Sequence, residues 1–153
     1  MLIRAVTQGD EQVPRQGGLW GNLLTGPLTN ASTALADRLY RLAGMGPADI
    51  DVAQFYDCFT ITVLMQLEDY GFCKRGEGGP FAASGALELD GSLPINTSGG
   101  NLADGYIHGL SHIVEGVRQL RGESTANVPG AETCLVTSGM PGPGSSALIL
   151  RTD

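Results

Sequence analysis

The first eight periodic residues, "LIRAVTQG", alternate apolar and polar side chains and predict a strand. Residues 9–29 form a long Gly/Pro-rich connection that carries the single tryptophan, Trp20; a connection of that length inside one domain is more often functional than idle. From Asn30, a fair N-cap, the stretch "STALADRLYRLAG" repeats apolar residues at Leu35, Leu39 and Leu42 with helical spacing, and Gly44 ends it. "GPADIDVAQF" predicts a turn and a short strand. A second helix follows over "TITVLMQLEDYG", with Ile61, Leu64 and Leu67 on its apolar stripe. Residues 72–104 read as loop, with a short strand pair near "ALELDGSLPI". "GYIHGLSHIVEGVRQLRG" is the clearest helix, its apolar residues Ile107, Leu110, Ile113 or Val114, Val117 and Leu120 recurring every three to four positions. "TCLVTS" and "SSALILR" predict two buried strands joined by a glycine turn. Strand, helix, strand, helix, helix, strand, strand is the order of an α/β domain, a mixed five-stranded sheet with helices packed on it when the loop region contributes a strand.

Composition narrows the class. A chain of 153 residues is one ordinary domain, able to bury roughly 68–70% of its unfolded surface. Its formal charge of −7, with nine basic residues that never cluster, argues against nucleic acid, whose phosphates need concentrated positive charge. No apolar stretch reaches the length of a membrane span, and "MLIRAVTQGDEQ" lacks the apolar core of a secretion signal. Cys58, Cys73 and Cys134 are odd in number and suit neither a zinc site nor a disulfide framework, so a reducing, cytoplasmic setting is expected. Without a secretion signal, the glycosylation sequons at Asn30 and Asn96 carry no meaning. The 23 glycines fall in separate loops, "GGLWG", "GEGGP", "SGGN" and "SGMPGPG", where backbone amides can approach a ligand or another chain.

Chemistry concentrates at two places. "QFYDCFT", residues 54–60, sets a tyrosine, an acid and a cysteine where a buried strand turns into a helix. Tyr106 occupies a second loop-to-helix junction. Each tyrosine can be a half-buried aromatic with a satisfied hydroxyl, or a group aimed at a ligand. His108 and His112, four apart, are expected to share a helix face turned to solvent or a partner; a metal site would need a third ligand, and no motif supplies one. Cys73 and Cys134 read as structural, Cys58 stays open because of its neighbours, and the acidic residues read as a solvated face. "SGMPGPG" lacks the Lys-Ser/Thr ending of a phosphate loop and the spacing of a dinucleotide fingerprint.

Taken together, these stretches resemble the C-terminal half of the sterol-carrier-protein-type thiolases. "AGMGPADIDVAQFYDCFT" is similar to the family segment that ends His-Asp-Cys-Phe, with Tyr56 at the histidine position and Asp57, Cys58 and Phe59 following as in the family. "NTSGGNLADGYIHG" is similar to its Ser-Gly-Gly … Gly-His-Pro-Leu-Gly segment, with Tyr106 replacing histidine and Ile107 replacing proline. "QLRGE" and "VPGAETCLVTSGMPGPGSSALIL" resemble its closing helix and last two strands, which puts the C-terminal catalytic cysteine of true thiolases on or near Gly139. With both histidines and that cysteine replaced, the pattern resembles the thiolase-like lipid-transfer proteins of bacterial steroid side-chain degradation.

That resemblance implies retro-aldol cleavage of a β-hydroxyacyl-CoA thioester, with Tyr106 as general base, Tyr56 as proton donor or orienting partner, and Asp57, Cys58 and His108 in support. Gly99, Gly100, Gly105 and Gly139 are expected to line the substrate pocket. No acyl-enzyme is required and no cofactor is expected beyond the acyl-CoA substrate. A free phenol ionises near pH 10, so using its anion at neutral pH costs about 4 kcal/mol; an ionised Asp57 nearby would add to that. The resemblance covers one of the two halves of a thiolase, without the loop domain that grips coenzyme A. It therefore implies an exposed apolar face covered by a chain carrying the N-terminal half or by a second copy, with a small OB-fold protein as a further partner. Two other readings remain at this stage: a thiolase or acyltransferase subunit borrowing a partner's cysteine, and a non-catalytic half in which the tyrosines only fill space.

Overall fold

The computed structural model describes residues 1–9, 32–139 and 145–152; the connection carrying Trp20, the Asn30 cap and most of the "SGMPGPG" turn lie outside them. Strand β1 (Leu2–Gly9) is followed by helix α1 (Thr33–Ala43), strand β2 (Val52–Gln54), helix α2 (Thr60–Asp69), short helices α3 (Gly78–Ala83) and α4 (Gly100–Ala103), helix α5 (Leu110–Arg121), and strands β3 (Thr133–Ser138) and β4 (Ser145–Arg151). The sheet runs β1-β4-β3-β2. β1 and β3 flank β4 antiparallel, while β2 lies parallel to β3. The α/β architecture and mixed sheet expected from the periodicity are present.

Among the described residues the sheet has four strands, not five. "ALELDGSLPI" forms turns, and its contribution to the sheet is one bridge, Ile95 beside Ala53. Pro94 explains why no strand extends there, since proline cannot donate to a ladder. The segment still seals the edge of β2. Ala53 N–H donates to Pro94 O at 3.0 Å, and Asn96 N–H donates to Ala53 O at 3.0 Å. The Asn96 side chain then acts as a substitute peptide, accepting from Phe55 N–H at 2.7 Å and donating to Phe55 O at 3.0 Å. That extends the pairing of β2 to the residue before Tyr56.

Two cores lie on opposite faces. On one, Leu35, Leu39 and Ala43 of α1 pack with Ala5, Ala53, Leu135, Ala147 and Ile149. On the other, α5 covers Val52, Cys134, Val136 and Leu150. The approach of α5 is close because position 116 has no side chain: a Cβ there would sit 3.0 Å from Cys134 Sγ, 3.1 Å from Val136 Cγ2 and 3.2 Å from Leu150 Cδ1.

Helix α5 starts at Leu110, five residues into the stretch predicted to be helical, and its apolar stripe divides: Ile113, Val117 and Leu120 pack on the core, whereas its N-terminal members face out. Ile107, Leu110 and Val114 are exposed, as is Val6 on β1, while His112, Glu115, Gly116, Gln119 and Leu120 are buried. The polar residues turned inward form a network. Glu115 Oε1 accepts from Thr97 Oγ1 at 2.6 Å, Ser124 Oγ at 2.7 Å and Gln119 Nε2 at 3.0 Å, and Gln119 also holds the loop after α5 through Ala126 O and Val128 N–H. Asp57 and Asp69 are buried too, so the acidic residues are not simply a solvated face; each found donors that make burial tolerable. The same correction applies at smaller scale to Leu42 and Ile61, both exposed although their spacing assigns them inward.

Filling the contact at Gly116 should therefore be unfavourable despite the better helix propensity of any replacement. Gly116→Val is expected to destabilise the chain by about 1–3 kcal/mol, the usual consequence of overpacking a core, read as a lower midpoint in chemical denaturation.

Candidate active site

Tyr56 stands just beyond the carboxyl end of β2, beside the carboxyl end of β3, the place where ligands commonly meet parallel strands. Its backbone is tied on both sides. Its N–H donates to Thr137 Oγ1 at 3.0 Å, and its carbonyl accepts from Gln66 Nε2 at 2.8 Å and Thr62 Oγ1 at 3.3 Å. Thr137 Oγ1 in turn donates to Gln66 Oε1 at 2.5 Å, closing a buried ring of bonds between β3, α2 and the tyrosine. The residue, 4% exposed, is thus fixed by groups from two elements.

Tyr106 comes from the loop between α4 and α5 and is 48% exposed. Its hydroxyl is hydrogen-bonded to the Tyr56 hydroxyl, and the two rings meet edge to face at 6.3 Å. The phenols are therefore unequal. Burial, followed by the bond to Tyr106 and the nearby Cys58 and Asp57, pushes the Tyr56 phenol well above its ordinary ionisation range. Tyr56 stays protonated and can act as a donor. Tyr106, half-exposed, is the more accessible of the two phenols.

Asp57 joins the two segments. Its Oδ1 accepts from Asn101 N–H at 2.9 Å and lies 3.0 Å from His112 Nε2, while Oδ2 accepts from Leu102 N–H at 3.4 Å. Burial opposes ionisation of this carboxyl, but the His112 bond and the two amides together outweigh it and hold the carboxyl below its ordinary range. Gly100, in the left-handed region at φ 63°, makes the approach feasible: a Cβ there would fall 2.2 Å from Oδ2.

The other expected site residues are placed as follows. Cys58 is half-buried, with its sulfur 3.9 Å from Thr62 Oγ1. His108 precedes α5 with φ 54°, so it does not share a helix face with His112; its ring packs edge-on against Tyr106 at 4.9 Å. His112 is buried on Asp57 instead of facing solvent. Gly99 opens the turn into α4. Gly105 is exposed with no atom within 4 Å of where its Cβ would stand, and Gly139 ends β3 with φ 124°. Gly109 backs the Tyr56 ring, 3.3 Å from Cδ2 to a Cβ built there. A cavity beside it is lined by Val6, His108, Leu110, Ile113, Ser138 and Leu148, between the start of α5 and strands β1, β3 and β4. Among the described residues, no group of His, Cys, Asp and Glu is arranged to hold a metal ion. Reading the sequence missed Gln66 and Thr137, and it gave His112 and Asn96 other places than the ones they hold here. His112, Glu115 and Gln119 do recur at helical spacing, a polar stripe that could have marked the buried side of α5.

Residues 24–152 match the family model described as "Thiolase C-terminal domain-like". The chain belongs to that family. It is 52% identical over 113 residues to the "17-hydroxy-3-oxo-4-pregnene-20-carboxyl-CoA lyase" of Mycobacterium tuberculosis, covering 74% of this chain and 29% of that protein. It is 47% identical over 119 residues to the "Steroid side-chain-cleaving aldolase" of Thermomonospora curvata, covering 78% and 30%. Among solved structures, the "Ltp2-ChsH2(DUF35) aldolase" superposes with a TM-score of 0.85 at 38% identity, over 98% of this chain and 39% of that one. The chain thus spans under a third of the length of these two curated relatives.

The Asp57 carboxyl gives a pH signature. Because its folded value is depressed, its contribution is complete above the ordinary carboxylate range and is lost as pH falls through the folded value. Stability should therefore decline on acidification below about pH 4, and Asp57→Asn should flatten that part of the curve while lowering stability at neutral pH. Denaturation midpoints across the acid range check both.

Proposed function

We propose that this chain supplies the tyrosine side of an active site that cleaves a β-hydroxyacyl-CoA by a retro-aldol reaction. The observation that carries the reading is the Tyr56–Tyr106 hydroxyl pair, with one phenol buried and held protonated and the other half-exposed. Tyr106 takes the proton from the substrate's β-hydroxyl as that oxygen becomes a carbonyl. The Cα–Cβ bond breaks, and its electron pair becomes the enolate of the departing thioester. Tyr56 donates its hydrogen bond to the Tyr106 oxygen while that oxygen carries charge. Tyr106 then returns that proton to Cα of the enolate, which completes the products, a ketone or aldehyde and a shorter acyl-CoA, and leaves both tyrosines in the state in which they began. Relatives named as a steroidal acyl-CoA lyase and a steroid side-chain-cleaving aldolase support this chemistry and a steroid-derived substrate. The acyl-enzyme alternative gains nothing from Cys58, whose neighbour at 3.9 Å is a hydroxyl and not a base. No cofactor besides the substrate's own coenzyme A enters the scheme, and we place the reaction in the cytoplasm.

The substrate needs more protein than this. Val6, Ile107, Leu110 and Val114 are exposed on the side of the sheet and of α5 that carries the cavity. The occupant we assign to that face is the thiolase N-terminal half, on the same polypeptide or a separate one, because the relatives extend far beyond the matched region. A small OB-fold protein is a further partner, in keeping with a structural neighbour whose name joins two components.

Tyr106→Phe in the assembled protein should lower kcat for β-hydroxyacyl-CoA cleavage by about 10²–10⁴, the usual contribution of a positioned acid or base, with unchanged folding. Unaltered cleavage would sink the assignment. Leu110→Asp should abolish association with a separately expressed N-terminal half, measured by native mass spectrometry; retention of the complex would place that half elsewhere.

A further inference from the structure

Tyr106 lies in a segment with little structure of its own. Between Leu102 and His112, the backbone bonds outside the helices among the described residues are Asp104 N–H to Gly100 O, Ile107 N–H to Gly105 O and Leu110 N–H to Ile107 O, all local. Two of the intervening residues are glycine, His108 and Gly109 occupy the left-handed region, and Tyr106, Ile107 and His108 are exposed. Nothing in that path alone dictates where the Tyr106 hydroxyl ends up. Both ends of the path, however, reach the same carboxylate. Leu102 N–H binds Asp57 Oδ2 at the start and His112 Nε2 binds Asp57 Oδ1 at the finish. Asp57 is the residue immediately after Tyr56.

We infer that His112 is a positioning residue: by bonding Asp57 it closes the Tyr106 loop onto the segment that carries Tyr56 and so sets the hydroxyl-to-hydroxyl contact. His112 is 1% exposed and its ring lies 6.4 Å from that of Tyr56, so it acts from behind the pair, not on substrate. With Nε2 facing a carboxylate, the proton in that bond sits on Nε2. Loss of the bond unties the first turn of α5 from Asp57, leaving that end of the loop held only by the packing of α5 and Gly109, while Asn101 and Leu102 stay on Asp57. The phenols then separate, and a displacement on the scale of 1 Å is enough to reduce a proton-transfer rate by about 100-fold.

The inference rests on the tyrosine-pair reading of the site, and its test separates the two. In the assembled protein, His112→Phe keeps a ring and removes the donor, whereas His112→Gln retains an amide N–H. The Phe variant is expected to lose the downfield tyrosine hydroxyl resonance in proton NMR and to show kcat lowered about 100-fold with KM within a few-fold. The Gln variant should recover part of both. A role in stability alone would lower the melting temperature and leave the resonance and the kcat-to-KM pattern in place; a folded Phe variant behaving that way overturns the inference. Should the Phe variant not fold, the Gln variant and nitrogen NMR of wild-type His112 decide. A protonated Nε2 bonded to the carboxylate is expected, and an unprotonated one overturns the inference. If Tyr106→Phe keeps full activity while His112→Phe still loses the tyrosine resonance, the retro-aldol reading fails and the positioning role stands.

Discussion

The site depends on one buried carboxylate. Taking Asp57 out of water carries a penalty of several kcal/mol unless its lone pairs are occupied, and Asn101, Leu102 and His112 occupy them from segments 44 to 55 residues away. Each of those bonds is also a distance restraint. Because Tyr56 precedes Asp57 and Tyr106 lies between Leu102 and His112, the groups that make burial tolerable are also the groups that bring the phenols together. Stability and site geometry are here the same set of contacts. Gly100 belongs to the arrangement for a steric reason, since any side chain there would occupy the space of Oδ2.

The strands were legible because the sheet is covered on both faces along β3. A run such as "TCLVTS" is buried at nearly every position and reads as a continuous apolar strand. The fifth strand was not legible because side-chain chemistry replaces backbone pairing there: Asn96 does with its amide what a strand residue does with its peptide group. Helix α5 illustrates a different limit. Its apolar period is real and Ile113, Val117 and Leu120 pack inward as it predicts, but the period does not show that polar residues share that buried side while Leu110 and Val114 face out. Polar residues at 112, 115 and 119 point inward because Asp57, Thr97, Ser124 and Ala126 supply partners that no local pattern displays.

For the site, local sequence marked Tyr56 and Tyr106 as unusual, and the family resemblance made them a pair. It could not show that the pair is asymmetric. That asymmetry comes from depth: Tyr56 hangs between β3 and α2 through Thr137 and Gln66, whereas Tyr106 sits on an open loop. The expectation that an ionised Asp57 opposes the phenolate holds for Tyr56, and the same depth gives the carboxylate a second consequence. An isolated carboxylate beside a phenol only opposes the phenolate, yet this one is committed to three donors, and its main consequence is positional.

The outward face of α5 and the Tyr106 loop are consecutive in the chain, and this links assembly to chemistry. Ile107, Leu110 and Val114 start one residue after the half-exposed tyrosine. A protein surface that buries those side chains cannot avoid approaching Tyr106 as well. Covering the face would remove water from the outer phenol and lower the dielectric around it, which strengthens its bond to Tyr56 and any bond to a substrate oxygen. The inner phenol is already in that condition. On this argument the chain holds its donor ready-made, and its acceptor is completed by whatever covers α5.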